Sequence, residues 1–173
     1  LMVEAESAVA FLYQLVPNDL SSAKTFSWQW RVDKDFPATD LSQPGADDRP
    51  IAVHVYFADE DISPLRRLTR SFARMAGVPL SGRAITYVWG GHKEPGSVLP
   101  NPFMRDGEGV LIICRSSGTE SSSWLNEVRD LESDFRSAFG RTPGPVTAIV
   151  VSSDTDDSNA HAVARLRDLN LGP

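Results

Sequence analysis

One cysteine, three histidines and no long apolar run are found in this 173-residue chain, and each shortage closes off a class of protein. The single Cys114 has no partner for an intramolecular disulfide, and the histidines are too scattered to complete a Cys/His zinc cluster. It lies in the run Val110-Leu111-Ile112-Ile113-Cys114, where a buried and inert thiol is expected. No stretch reaches the roughly 18 to 20 apolar residues of a membrane-crossing helix. Positive charge is short as well. Seventeen Lys and Arg against 23 Asp and Glu leave a formal net charge of -6, which with no nucleic-acid-binding motif argues against a nucleic-acid partner. HExxH, GxSxG, the P-loop and the Rossmann fingerprint are all missing, and no serine has a recognisable base.

What is present is globular: 41% hydrophobic and 23% charged residues, with 12 Gly and 12 Pro, enough for one domain over residues 1–173. Short β-like runs dominate. Phe26, Trp28, Trp30 and Val32 alternate with Thr25, Ser27, Gln29 and Arg31, a period of two with one apolar face. Val9, Phe11 and Tyr13 repeat it, as do Ile51 to Phe57 and Ile85, Tyr87 and Trp89. The runs at 110–115 and 146–151 are more uniformly apolar, as expected of strands covered on both faces. Many such strands between Gly, Pro, Asp and Ser predict an all-β sandwich or barrel.

Two segments carry helical spacing. Ser63-Pro64 starts the first, and Leu65, Leu68, Phe72 and Met75 follow at three and four, predicting a helix at about 64–75. Its other side aligns Arg66, Arg70 and Arg74, either a solvated face or a surface for an anionic protein partner. The second helix is expected over about 130–139, with Leu131, Phe135, Ala138 and Phe139 inward and Gly140 ending it. Trp124 and Val128 extend that stripe backwards, yet Trp124, Asn126 and Val128 also alternate as in a strand, so periodicity leaves 123–129 open. The polar loops at 33–48 and 90–101 are natural places for function.

Several local patterns occur in a distinctive order. They are Ser27-Trp28-Gln29-Trp30-Arg31-Val32-Asp33, Asp47-Asp48 before the strand from Ile51, and Thr86-Tyr87-Val88-Trp89. Trp124 with Glu127, Arg129 and Asp130 comes next, then Asp134-Phe135, Phe139-Gly140 and Ser153-Asp154-Thr155-Asp156-Asp157. In this order the chain resembles the bacterial family called domain of unknown function 3047, whose members are mostly predicted to be exported. The resemblance implies a jelly-roll β-sandwich like galactose-binding and carbohydrate-binding domains, with 123–129 as strand and Ala162 to Leu171 as a closing strand. It also marks 64–75 as an insertion, and leaves out a leading strand that the family has before the position of Leu1. A periplasmic or secreted protein, processed from a signal-bearing precursor, is the implied setting.

The expected function is a non-catalytic binding module for a carbohydrate or cell-envelope glycan, with a saccharide or small anionic ligand as partner. Arg31, Asp33, Trp89, His92, Glu94 and Arg129 are the candidate ligand contacts, because aromatic faces stack on sugar rings and Arg and carboxylates bond hydroxyls. Trp28 and Trp30 read as core. His54 reads as a packing residue. The alternatives are a structural or protein-interaction domain, and a glycan hydrolase pairing Glu94 with Asp47 or Asp48. The acidic turn Asp154-Thr155-Asp156-Asp157-Ser158-Asn159 fails as an EF-hand, lacking glycine at its sixth place and carrying Arg165 at the twelfth. A calcium site would need Asp154 and Asp156 to be joined by Asp47 and Asp48, which the resemblance pairs across the fold. Otherwise the turn is solvated and fixed by Asp side chains accepting backbone N–H bonds.

Overall fold

A computed structural model describes residues 1–59, 82–119 and 123–173. The helix expected at about 64–75, with Arg66, Arg70 and Arg74, lies outside the described residues. The strands are β1 (Met2–Glu6), β2 (Val9–Leu15), β3 (Thr25–Lys34), β4 (Arg49–Phe57), β5 (Arg83–Trp89), β6 (Val98–Pro100), β7 (Gly109–Arg115), β8 (Leu125–Asp130), β9 (Val146–Asp154) and β10 (His161–Gly172). A helix, α1 (Leu131–Phe139), is the only one among the described residues. Two sheets form, one in the order β1-β10-β3-β8 and the other β2-β9-β4-β5-β7-β6. Neighbouring strands are antiparallel except β5 and β7, which run parallel.

The alternation in β3 places Phe26, Trp28, Trp30 and Val32 in the core and leaves Ser27, Gln29 and Arg31 half-buried on the other face. Across the sheets Trp28 meets Tyr87 at 5.2 Å between ring centroids, and Trp30 meets Trp89 edge-on at 5.6 Å. These contacts between β3 and β5 hold the two layers face to face. The larger sheet is buried on its outer face too. Ile51, Val53, Val55 and Phe57 of β4 enter the main core, while Ala52 and Tyr56 join separate apolar clusters behind the sheet. β7 divides similarly, with Val110, Ile112 and Cys114 facing one way and Leu111 and Ile113 the other. Coverage of both faces accounts for the mostly apolar runs.

Residues 125–130 are strand, and the polar residue points inward. Glu127 is buried, accepting from Trp30 Nε1 at 3.1 Å and pairing with Arg115 at 2.8 Å, whereas Val128 is 66% exposed. The apolar stripe of α1 therefore does not continue through Val128. Helix α1 begins where Asp130 Oδ1 accepts the Ser133 N–H at 2.9 Å, and it stops at Gly140, whose φ of 68° suits the left-handed cap. Asp130→Ala is expected to lower stability by ~1 kcal/mol through loss of this cap, measurable as a lower urea midpoint. An unchanged midpoint would show that water replaces the cap without cost.

Candidate ligand-binding site

Arg49 is the first residue of β4, and strict alternation would send it into the core beside Ile51 and Val53. It goes the other way because the β4–β9 pairing steps from Arg49↔Asp154 to Ala52↔Ser152, an extra residue on β4 at Pro50. Such a bulge re-aims the side chain that precedes it, and proline is tolerated there because a ladder N–H is already missing. Arg49 thereby joins His54 and Tyr56 on the outer face of the large sheet, where the three line one cleft of about 260 Å³.

One end of this cleft is charged and the other apolar. Arg49 is 6% exposed, and its Nη1 donates to the Asp47 carbonyl at 2.9 Å and to Asp47 Oδ2 at 3.0 Å, with Asp154 Oδ2 at 3.4 Å. Its Nε is buried with no hydrogen-bond partner, and no donor reaches Oδ1 of Asp154. Asp156 and Asp157 continue the acidic edge, while Val9, Phe11, Phe103, Met104 and Leu111 are among the apolar lining residues. Beneath lies His54, whose Nδ1 meets Thr86 Oγ1 at 2.9 Å and whose Nε2 meets Ser152 Oγ at 2.8 Å. Burial first, and the Arg49 charge second, hold the imidazole neutral with its pKa pushed down to about 3.

The carboxylates here do not behave as free ones. Burial pushes Asp154 up to about 7; Arg49 opposes this, and Asp156 and Asp47 reinforce it. Asp47 is raised by burial against the pull of Arg49, and Asp157 is raised by burial together with Asp156, Asp48 and Asp47. Asp48 is fully buried and accepts from Ser158 N at 2.7 Å, from Asp157 N at 3.4 Å and from the Ser158 hydroxyl. Thr155 ties the same turn to Ala8, by backbone and side chain. Asp side chains do fix the turn, but the anchoring carboxylate is Asp48 from across the fold rather than Asp154 or Asp156. Asp48, Asp156 and Asp157 each bring one oxygen within 4.8 Å of the others, a group able to face a cation.

Of the four expected metal ligands, then, Asp48 and Asp156 meet each other and Asp157, while Asp47 and Asp154 hold Arg49. The six expected ligand contacts are dispersed, and none lines the cleft. Arg31 and Asp33 pair at 2.6 Å on the outer face of the smaller sheet, where Arg165 Nε also donates to Asp33 at 2.6 Å and lowers its pKa. Trp89 is fully buried against Trp30 and presents no face to a ligand. Arg129 grips Asp134 through Nε at 2.9 Å and Nη2 at 2.8 Å, and Tyr87 donates to the same carboxylate at 2.8 Å, so these groups dock α1. His92 is exposed and donates from Nδ1 to the Thr39 carbonyl at 2.9 Å, while Thr39 Oγ1 donates to the Asp48 carbonyl. Glu94 is exposed beside it. Arg49 and Asp157 were missed by sequence reasoning; the signal for Arg49 was a basic residue and a proline opening a strongly apolar strand.

Fold and site together define a two-sheet β-sandwich that carries a charged, partly apolar cleft on the outer face of its larger sheet. No helix among the described residues is long and apolar enough to cross a membrane. The chain belongs to the DUF3047 family, described as a protein of unknown function, whose model matches residues 1–170. Neither a curated protein nor a solved structure matches the chain.

Proposed function

We propose that this domain is a non-catalytic binding module for a saccharide, with the cleft beside Arg49 as its site. The observation that carries this reading is the cleft itself, about 260 Å³, with Arg49 and carboxylates at one end and an apolar wall at the other. Sugars present hydroxyl O–H donors along one edge and C–H groups on their faces. The Asp154, Asp156 and Asp157 carboxylates suit the first, and the Phe11 and Phe103 side of the cleft suits the second. A cell-envelope glycan and an exported location accord with the family resemblance. The likeness to galactose-binding jelly rolls belongs to the same proposal, with the parallel β5–β7 pair as a departure from an all-antiparallel jelly roll. Calcium at Asp48, Asp156 and Asp157 is a further element of it, although Asp48 is committed to the turn and calcium takes about six to eight oxygens.

Calorimetric titration of chelator-treated protein with neutral, amino and acidic sugars tests the reading. Binding is expected at the cleft, and Phe103→Ala, at a half-exposed wall position, should weaken it by about threefold to tenfold while leaving the melting temperature unchanged. No heat and no amide shift with any sugar at millimolar concentration would overturn it. A hydrolase is the second reading, favoured by Asp154 holding a proton to about pH 7 beside Asp156. Release of reducing ends from an oligosaccharide, abolished by Asp154→Asn, would establish that reading in place of the first.

A further inference from the structure

We infer that β2 is the pairing edge of a two-fold dimer, in which the larger sheets of two copies of this chain join antiparallel along residues 9–15. This surface does not depend on what the cleft binds. Each of the two sheets has two edges, and among the described residues three of the four are defended against pairing. β6 is three residues long and ends in Pro100, β1 carries Glu4 and Glu6, and β8 carries Glu127, Arg129 and Asp130. The fourth is bare. β2 reads Val9-Ala10-Phe11-Leu12-Tyr13-Gln14-Leu15, with no charge, proline or glycine, and β9 is its one neighbour in the sheet among the described residues. An uncharged edge of this length is a template for another strand.

Side-chain exposure marks the same edge independently. Leu12 lies opposite Val151, a member of the main core, so it is directed between the sheets, yet it is 56% exposed. The sandwich is open at this corner. A groove of about 520 Å³ enters there, walled by Phe26, Ile149, Val151 and Leu166, and Tyr13, Leu15, Leu20 and Leu169 also line it while remaining 41 to 54% exposed. Charge and area indicate the occupant. No side chain lining the groove is charged, so it offers nothing to an acidic or basic partner, whereas a second copy of the same edge meets it without opposing like charges. Antiparallel pairing about Leu12, the central residue of β2, sets Leu12 against itself, Tyr13 against Phe11 and Leu15 against Val9. The exposed parts of these five large apolar side chains amount to on the order of 500 Å² per copy and about 1,000 Å² in a pair, the lower bound for a specific interface before the strand backbone is counted. Each copy has one such edge, so the assembly closes at two.

Sedimentation of the full chain from about 1 to 500 µM tests the inference, with amide exchange along β2 followed at both ends of that range. The mass is expected to rise from 18.9 kDa to twice that value with a midpoint on the order of tens of micromolar, and the β2 amides to exchange more slowly in the concentrated sample. Leu12→Lys should weaken pairing by at least about a hundredfold, because it sets two ammonium groups against each other, and should keep the melting temperature of the dilute protein. Tyr13→Lys, on the opposite face of the strand, should do the same and decides the matter if Leu12→Lys fails to fold. Val98→Lys, at a 51% exposed position on β6, should leave the dimer intact. A mass of 18.9 kDa at every concentration would overturn the inference and leave the edge to a different chain. A dimer that survives both β2 substitutions in folded protein, or that forms with no change in β2 exchange, would place the interface elsewhere and overturn it as well. Growth beyond two copies would overturn the closed pair.

Discussion

Truncating Phe135 to alanine is expected to lower the unfolding free energy by ~3–5 kcal/mol, the range for removing a buried aromatic ring and leaving a cavity. The ring is 1% exposed and packs edge-on against Phe57 of β4 at 4.8 Å and against Phe139 at 4.6 Å. Helix α1 has nine residues, too few to be stable alone, so its order derives from what it packs upon. Leu131 is the other fully buried side chain on the helix. The polar clamp of Arg129 and Tyr87 on Asp134 remains in the variant and should keep α1 docked over a loosened core. Urea denaturation is expected to show a lower midpoint with an unchanged slope. A loss under about 1 kcal/mol would mean that the neighbouring rings collapse into the space and that α1 is peripheral to stability.

Much of the fold was legible because burial in this chain follows short-range pattern. The alternation in β3 named its four core residues, and the more uniformly apolar runs at 110–115 and 146–151 were consistent with strands buried on both sides. The cap of α1 could be read from Gly140. Residues 123–129 could not be settled by pattern, since the inward place belongs to Glu127 and not to an apolar neighbour. A carboxylate can occupy a buried strand position when partners meet it, and Arg115 and Trp30 Nε1 come from distant parts of the chain. Burial raises the Glu127 pKa and Arg115 opposes that rise, so this pair depends on both residues.

The site was legible in its acidic half only. Asp47-Asp48 and the Asp154 to Asp157 turn do come together, as the family resemblance implied, because β4 and β9 are hydrogen-bonded neighbours. Arg49 escaped notice because its direction is set by a one-residue bulge, a property of the pairing and not of either strand alone. Trp89 went astray for the opposite reason. Its parity with Ile85 and Tyr87 placed it in the core, and the glycine-rich loop that follows it was given too much weight. Arg129 and Arg31 illustrate a general ambiguity: an arginine beside apolar strands needs a partner, and here Asp134 and Asp33 supply it internally.

Acidification is expected to remove a contribution from His54 on the order of 4 kcal/mol between neutral pH and about pH 3. The folded protein holds this imidazole with a pKa of about 3, against an ordinary value of 6.5, first because it is buried and then because Arg49 is nearby. Below pH 6.5 the unfolded chain takes up a proton that the folded one refuses, so stability falls with falling pH until the folded pKa is reached. Asp154 works in the opposite sense. Its folded pKa of about 7 lies above the ordinary 3.8, so the folded state holds the extra proton in that window and this contribution shrinks as pH rises. Because the two terms oppose between about pH 4 and 6.5, the wild-type curve alone will understate both. The difference between wild type and His54→Gln isolates the histidine, since other carboxylates titrate in both proteins. Urea unfolding from about pH 3 to 7.5 should show the wild type ahead at neutral pH and its advantage shrinking steadily below about 6.5. A difference that stays constant across that range would mean that His54 is protonated as readily in the folded state as in the unfolded, and that the buried Thr86–His54–Ser152 arrangement opens to water.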